Sequence, residues 1–523
     1  MKGLKRDIST TAILVASAGG MVGSGWLFTS YYSAKIAGSG ALISWLIATI
    51  FMIFIALPLC ELGAMYPVSG GLSNYPKFTH GKIVGFIFSW LMWLSYLVMI
   101  PIEVQAVLQY SSIYWPNLLN ADQSLTFSGY FCALFIMIFL VILNNFGIKI
   151  IVEVNKYISI WKFIIPVLAA LAFIFVTKNP TLPSFHFASV DSWNDIFSAL
   201  AIGGIAFAFT GFQNGLVLAG EVKNPQRNIP ISILGAILVG FILYTLLQYS
   251  FLVGVPKSML DAQGGFSSLS FQGDAGPLVG LALVLGLGII AKLLLLDAVV
   301  SPLGTAVIYT TATSRILYGM AENGFLPKTL LKLNRHHIPY ITIIVNFCFG
   351  MLTFLPFPGW QKMVAFLSST SILTYGIGGI CLLAFRKQKP DLARPFKMPF
   401  PYLISNISFF VCSLMLYWCG WDNIWKLCIA VFIGLSFSFI FYKSTRTLKA
   451  FNELGWFLFY LVSILMISYF GNFGGSNQLI SPYDYVCLLT LSVVTLRWST
   501  YTAIKYNQQN PDELPFEKKL ERA

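Results

Sequence analysis

The chain has 523 residues, of which 57% are hydrophobic and only 10% are charged. Soluble domains average about 25% charged residues, so this composition excludes a soluble protein and indicates one that crosses a membrane many times. The net charge of +13 does not indicate nucleic-acid binding, because about 25 of the 33 Lys and Arg residues lie on one alternating set of predicted loops and on the tails. This positive-inside pattern predicts that both termini are cytoplasmic.

Few basic residues lie on the opposite set of loops. They are Lys35, Lys178, Lys257, Lys362 and Lys426. The N-terminus, basic and then apolar, resembles a secretion signal, but its apolar run continues through Trp26, Leu27 and Phe28. We therefore expect an uncleaved first helix.

Apolar runs of membrane-crossing length predict an all-α polytopic fold with fourteen transmembrane spans. Their approximate ranges are 9–35, 41–65, 83–111, 127–147, 152–176, 193–219, 229–254, 278–319, 340–358, 361–385, 402–420, 424–442, 454–471 and 482–504. The eighth run is too long for one crossing, so tilt, a kink at Pro302 or a cytoplasmic extension is expected to absorb the excess. The proline-rich stretch 386–401 is expected to be an irregular connector.

The first span is interrupted by GGMVGSG, from Gly19 to Gly25. Lipid offers no hydrogen-bond partners, so each backbone group left unpaired there would cost several kcal/mol. Such a break survives only where it is buried in protein or faces a cavity. It therefore predicts a small-molecule site near the membrane midplane, in a protein that moves its substrate across the bilayer.

The sixth span has a similar interruption, GGIAFAFTGFQNG at 203–215. Spans one and six are each the first of five, and an odd number of spans inverts the second unit relative to the first. Interrupted helices at corresponding positions of two inverted units are the best sequence indicator of a transporter binding site.

Several stretches resemble the amino acid–polyamine–organocation permeases over nearly the whole chain. They are GMVGSGWLF in span one, ELGAMYPVSGGLSNYP after span two, GEVKNPQRNIP after span six, and SRILYGMAENGFLP with RKQKPDLARPF on the predicted inside. Within that family the chain is most similar to the bacterial aspartate–proton symporters, through IEVQAVLQY, SIWKFIIP, LDAVVSP and two spans beyond the usual twelve.

The resemblance implies a leucine-transporter-type fold with a five-plus-five inverted repeat and discontinuous spans one and six. The transport core is then 1–385, with repeat one at about 9–176 and repeat two at about 193–385. A connector with spans 11 and 12 follows at 386–442. Spans 13 and 14 and a cytoplasmic tail occupy 443–523.

The two breaks predict the substrate site. Helix N-termini attract anions, so the N–H groups at Gly23, Ser24 and Gly25 are expected to bind the substrate α-carboxylate. Carbonyls at Ala18 and Gly19, where the opposite half-helix is expected to end, suit the α-ammonium. The whole predicted substrate-binding set is Gly19, Gly23, Ser24, Gly25, Phe207, Ala208, Phe209 and Thr210. The alternative is a glycine-rich packing face between helices.

Aromatic residues Phe207, Phe209 and Phe212 flank the second break. By family register, Phe207 is the expected gate over the substrate. Ordinary packing is the alternative for all three, because 16% of the chain is aromatic.

Three charged residues lie deep in apolar spans: Lys162 in span five, Glu103 in span three and Asp297 in span eight. A charge at that depth costs ~2.5–3.5 kcal/mol on insertion scales, so each needs a partner or a change of protonation. In related proton-coupled permeases, a lysine at the register of Lys162 stands where sodium-coupled relatives hold a sodium ion. We therefore expect proton coupling at these three residues, with fixed structural ion pairs as the alternative.

An acidic substrate also needs donors for its side-chain carboxylate. The candidates are Lys292, Gln105, Thr210, Gln213 and Asn214. Gln213 departs from the family, because many members carry an acid at this position and glutamine cannot titrate. At the predicted cytoplasmic ends of the spans, Glu221, Arg227 and Arg315 are expected to form an inner gate, or else to be solvated loop charges.

The chain is predicted to be a secondary active amino-acid transporter of the plasma membrane, driven by protons and importing aspartate or glutamate. A neutral or cationic amino-acid or polyamine permease or exchanger is the runner-up. A non-transporting receptor would need a signalling domain, and an enzyme would need a nucleophile–base pair or metal ligands. All four histidines are predicted in loops: His80, His186, His336 and His337.

The expected partners are an amino acid, protons and the lipid bilayer, with no nucleic acid. The sequence predicts no cofactor and no metal. It contains no GxxxxGK[ST] loop, so ATP is not expected to drive transport directly. All eight cysteines lie in or beside apolar segments, so no disulfide is expected.

Overall fold

The computed structural model describes residues 8–67, 70–145, 148–177, 190–271, 276–441 and 447–510. All the regular secondary structure named within these ranges is helical. This agrees with the all-α prediction, because a helix satisfies its backbone hydrogen bonds internally and lipid cannot.

The first predicted repeat holds two half-helices and five further α-helices. They are α1 (Thr10–Met21), α2 (Gly25–Ala37), α3 (Ala41–Met65), α4 (Tyr75–His80), α5 (Lys82–Ser111), α6 (Phe127–Asn145) and α7 (Ile148–Val176).

The second predicted repeat holds nine α-helices, several of them short. They are α8 (Val190–Ala201), α9 (Ile205–Ala208), α10 (Asn214–Val217), α11 (Pro225–Gly254), α12 (Lys257–Gln263), α13 (Pro277–Val284), α14 (Gly288–Glu322), α15 (Tyr340–Leu352) and α16 (Gly359–Gln388). Four helices follow this repeat. They are α17 (Pro401–Trp418), α18 (Trp421–Phe441), α19 (Thr447–Phe470) and α20 (Tyr483–Gln509).

The long eighth run is divided rather than kinked. Gly286 has a φ of +73° and lies in the turn that separates α13 from α14. Pro302 lies inside α14, which continues past it as one helix of 35 residues. Glycine adopts a positive φ without steric cost, so Gly286 can end α13 and let the chain turn before α14.

The helices differ in how much protein surrounds them. By length and hydropathy, nine helical stretches among the described residues could cross a membrane, and α1 and α15 are shorter apolar helices. The most apolar windows of α5 and α16 are 89% and 100% buried, against 28% for that of α6. Helix α5 packs against α14 and α16, and α11 packs against α1 and α3. The interior helices of the bundle are therefore α5 and α16, whereas α6 lies at its edge.

The last two helices pack against several helices of the two predicted repeats, and α19 contacts α5. Helix α20 contacts α4, α16 and α17. His80, at the end of α4, is fully buried, with Nε2 3.1 Å from the carbonyl oxygen of Ser499. Burial lowers the pKa of His80 to about 4, so the imidazole is neutral at ordinary pH and acts as a packed hydrogen-bonding group.

The prediction that all histidines lie in loops is therefore wrong for His80, which ends a short helix. Its position between two apolar spans did not indicate that α20 would cover it. His336 and His337 are exposed and lie outside the helices, as predicted. His186 lies outside the described residues.

A buried ion pair joins α3 to the end of α16. The Glu61 carboxylate is completely buried and accepts hydrogen bonds from Arg386 Nε at 2.9 Å and Nη2 at 2.7 Å. It also accepts one from the backbone N–H of Met398 at 2.8 Å. The bidentate geometry and the third donor satisfy the carboxylate. This ion pair fixes the connector after α16 onto α3.

Replacing Glu61 with alanine should destabilise the fold by about 3–5 kcal/mol, because it leaves the mostly buried Arg386 without its counter-charge. The matched control is Asp422→Ala, which breaks the ion pair of Lys426 with a 69%-exposed carboxylate and should cost about 0–1 kcal/mol. Thermal unfolding of the purified protein in detergent measures both. Equal melting temperatures for the two variants would contradict the structural role of Glu61.

Candidate substrate site

The first break lies at Val22, Gly23 and Ser24, between α1 and α2. Helix α1 continues to Met21, and the carbonyl of Ala18 accepts a helical hydrogen bond from the N–H of Val22 at 3.3 Å. The prediction that this half-helix ends at Ala18 and Gly19 is therefore wrong by two to three residues. The paired glycines remain helical because the helix is packed on several sides, which compensates for their low helix propensity.

The carbonyls at the end of α1 have side-chain donors. Lys162 Nζ lies 3.5 Å from the carbonyl oxygen of Gly19, and the hydroxyl of Tyr244 donates to that of Met21 at 2.8 Å. Thr305 Oγ1 lies 3.4 Å from the carbonyl oxygen of Val22. These donors stabilise the frayed end within the protein interior, as a break in lipid requires.

At the start of α2, the backbone N–H groups of the break bind a carboxylate that belongs to the protein itself, that of Glu103. The backbone N–H of Ser24 donates to Glu103 Oε2 at 2.8 Å, and Trp360 Nε1 donates to Ser24 Oγ at 2.8 Å. A Cβ at Gly23 would overlap Glu103 Oε1 and lie 3.0 Å from Thr305 Oγ1. Glycine is thus needed at 23 for the carboxylate to approach. This is the helix N-terminus at which the sequence predicts an anion.

The three predicted charged residues come together beside this break. Lys162 Nζ donates to Thr305 Oγ1 at 2.5 Å and interacts electrostatically with both Glu103 and Asp297. Asp297 accepts a hydrogen bond from Ser301 at 2.7 Å. Lys162, Glu103 and Asp297 are each at most 1% exposed. One cation and two carboxyl groups are therefore buried together next to the bent first helix.

The second break crosses the first, backbone against backbone. Gly204 and Gly211 have φ of +96° and +125°, and a Cβ at Gly211 would lie 2.7 Å from the carbonyl carbon of Gly20. The carbonyl of Phe207 accepts a hydrogen bond from the N–H of Thr210 at 2.7 Å. Two interrupted helices therefore meet in the core, as predicted, although the Phe207 carbonyl is already engaged within its own turn.

The three aromatic residues of span six face different neighbours. Phe207 packs edge-on against Trp360, with ring centroids 5.5 Å apart, and covers Gly25. Phe209 packs against Trp45 and Tyr244, and Phe212 against Tyr375. Of these three, Phe207 is therefore the residue placed over the first break, which agrees with its expected register.

The side-chain amides considered as donors for a substrate each make a hydrogen bond, but Gln213 and Asn214 make theirs through the amide oxygen and not through the N–H groups. Gln105 Nε2 donates to the carbonyl of Gln123 at 3.0 Å, and Gln213 Oε1 accepts from the N–H of Gly211 at 2.9 Å. Asn214 Oδ1 accepts from the hydroxyl of Tyr96 at 3.1 Å. Lys292 is exposed and thus lies away from the buried charges, whereas Thr210 is buried at the second break.

The predicted inner gate does not form among Glu221, Arg227 and Arg315. Arg227 and Arg315 are exposed, and within the described ranges these three residues make no ion pair with one another. Glu221 instead contributes its backbone carbonyl, which accepts a hydrogen bond from the N–H of Ile8 at 3.0 Å. The buried ion pair described above, between Glu61 and Arg386, was not predicted.

Two residues of the site were missed at the sequence level. Thr305 follows Asp297 and Ser301 at four-residue spacing in α14, so a polar stripe on one helix face was the signal that could have revealed it. Trp360 follows a glycine at the start of α16, and its sequence carries no indication that the indole reaches Ser24.

An all-α fold in which two interrupted helices cross around buried charges defines a secondary transporter. The chain belongs to the amino acid permease family, whose profile matches residues 8–440. It is therefore a transporter and not an enzyme.

Relatives with assigned activities cover nearly the whole chain. It is 34% identical over 517 residues to the glutamate/serine transporter AimA of Bacillus subtilis (strain 168), spanning 95% of this chain and 94% of that protein. It is 32% identical over 508 residues to the aspartate-proton symporter of the same strain, spanning 96% and 97%. The branched-chain amino acid permease BcaP of that strain is 25% identical over 466 residues, spanning 86% and 95%.

Proposed function

We propose that this chain imports an acidic amino acid, aspartate or glutamate, together with protons, across the plasma membrane with both termini in the cytoplasm. The observation that carries the proposal is the hydrogen bond from the Ser24 N–H to the Glu103 carboxylate, beside Lys162. Two relatives, 34% and 32% identical to this chain, are named for glutamate and serine and for aspartate.

The Glu103 carboxylate occupies the position proposed for the substrate α-carboxylate. Both are anions, and both would use the N–H groups at the start of α2. They cannot share these donors at close range in a dry interior without strong repulsion. Substrate binding at Gly23, Ser24 and Gly25 therefore requires Glu103 to move away or to take up a proton.

A count of charges in this interior supports proton coupling. Lys162 interacts electrostatically with two carboxyl groups, those of Glu103 and Asp297. An acidic amino acid carries two carboxylates and one ammonium, so it adds one further negative charge. A proton taken up by Glu103 or Asp297 with each substrate keeps the buried net charge unchanged. When that proton is lost on the cytoplasmic side, the Glu103 carboxylate again accepts the hydrogen bond from the Ser24 N–H. The substrate carboxylate then loses this donor and is released.

A neutral amino acid is the second candidate substrate, because one relative is named for serine as well as glutamate and another for branched-chain amino acids. A neutral substrate adds no net charge, so it does not require a proton for charge balance. The two candidates therefore differ in how strongly uptake depends on a proton gradient.

The test is uptake into proteoliposomes that contain the purified protein, with a panel of labelled acidic, neutral and cationic amino acids. We expect aspartate or glutamate to accumulate above equilibration when the outside is acidic, and a protonophore to abolish the accumulation. Protein-free liposomes and vesicles without a pH difference are the controls. Gradient-independent uptake restricted to serine or a branched-chain amino acid would contradict the proposal.

A further inference from the structure

A groove of about 590 Å³ lies on the outside of the bundle, between the first half of α11 and the connector that precedes α17. Its walls are mainly apolar. They include Ile231, Leu234 and Leu238 from α11, and Pro395 and Phe396 from the connector. The groove is separate from the crossing of the two breaks.

The groove opens away from the protein core. Ile231 and Leu238 are 40% and 56% exposed, whereas Ile233 and Ile237 on the other face of α11 are completely buried. Because α11 is one of the helices that could cross a membrane, its exposed apolar face meets lipid chains. The occupant expected in such a groove is therefore hydrocarbon.

The end of the groove carries a cation without a counter-charge. Arg227 lines the groove in the first turn of α11, is exposed, and makes no side-chain hydrogen bond or ion pair with any described residue. Lys223 and Lys397, which belong to the two segments that border the groove, are also exposed. Negative charge is further favoured here by the N-terminus of a 30-residue helix.

We propose that this groove binds an anionic phospholipid, with an acyl chain along Ile231, Leu234 and Leu238 and the phosphate on Arg227. Basic pockets beside transmembrane helices at the cytoplasmic level are suited to anionic head groups. The combination of an apolar groove of this volume with an unpaired guanidinium at its end matches both parts of such a lipid and no soluble anion alone.

The bound lipid would join two parts of the transporter. Helix α11 packs against the interrupted helix α1, and the Cβ position of Gly235 lies 2.9 Å from Leu14 of α1. The connector on the other wall is held to Glu61 through the N–H of Met398. A lipid that contacts both walls therefore stabilises their arrangement, independently of which amino acid is transported.

The experiment counts phospholipids retained by the detergent-purified full chain in native mass spectrometry, after addition of either phosphatidylglycerol or phosphatidylcholine. The wild type should retain phosphatidylglycerol preferentially. Arg227→Gln should weaken that retention about fivefold, since one basic contact near an anionic surface is worth on the order of 1 kcal/mol. Ile231→Trp should also weaken the retention because the indole blocks part of the groove.

The controls carry comparable changes outside the groove: Lys332→Gln removes a basic side chain from an exposed loop, and Ile242→Trp changes a residue of α11 that is 61% exposed. Both should retain phosphatidylglycerol like the wild type. The proposal is overturned if the wild type retains both lipids equally, or if Arg227→Gln and Ile231→Trp behave like their controls. Size-exclusion profiles identify any variant that fails to fold, and the other groove variant then decides.

Discussion

Gly25→Val is expected to lower substrate affinity about 5- to 150-fold while leaving membrane insertion intact. The Cβ position of Gly25 lies 3.2 Å from Phe207 Cε1 and 3.6 Å from the Cα of Ala208. Valine adds two further methyl groups there and must displace the ring or the second break. Overpacking of this kind costs about 1–3 kcal/mol. That cost falls on the crossing of the two helices, where the substrate is proposed to bind.

The matched control is Gly319→Val, the same change within α14 at a position whose Cβ would meet no atom within 4 Å. It should transport like the wild type. Binding of labelled substrate to purified protein measures the effect directly, and surface or membrane-fraction quantification measures insertion. If Gly25→Val binds substrate with wild-type affinity, the proposed carboxylate site at the start of α2 is refuted.

The sequence predicted the positions of both breaks because the reason for them is local. Clusters of glycine in an apolar helix remove the side chains that would prevent a close backbone crossing, and Gly211 against Gly20 is such a crossing. The end of α1 was predicted too early because the low helix propensity of Gly19 and Gly20 is overridden by packing. The acceptor end of the first break therefore lies two to three residues later than predicted, whereas its donor end at Ser24 lies where predicted.

The contacts between distant spans could not be predicted in the same way. Depth in an apolar run identified Lys162, Glu103 and Asp297 as unusual, but no local pattern states that Glu103 would reach Ser24 across 79 residues of chain. The same holds for Glu61 and Arg386, which are 325 residues apart. Such pairings follow from how the helices pack.

The difference between local patterns and contacts between distant spans explains two results. The predicted inner gate does not form, and the ion pair between Glu61 and Arg386 was not predicted. Glu221, Arg227 and Arg315 were predicted to form the gate because they lie at the ends of spans. A position at the end of a span does not indicate whether a side chain is buried. Glu61 lies inside α3 and has a stronger requirement for a partner, since an unpaired buried charge is far more costly than an exposed one. Glu61 lies only four residues from the end of α3, so the depth criterion that selected Lys162 did not select it.

Lys162→Ala is expected to abolish proton-driven accumulation of substrate. Its removal leaves Glu103 and Asp297 buried without the cation that interacts with them, and a buried charge without compensation costs several kcal/mol. The two carboxyl groups then lack the cation on which the proposed coupling depends, so proton uptake is no longer linked to substrate binding. Proteoliposome uptake with and without an imposed pH difference measures the loss.

Two companion variants separate coupling from stability. Lys292→Ala removes an exposed lysine of α14 and should keep wild-type uptake and melting temperature. Adding Glu103→Gln to Lys162→Ala removes one of the uncompensated carboxylates, so it should recover part of the lost melting temperature without restoring dependence on the gradient. A Lys162→Ala protein that keeps full proton dependence would make the lysine a structural cation, and proton coupling would then have to reside in Glu103 and Asp297 alone.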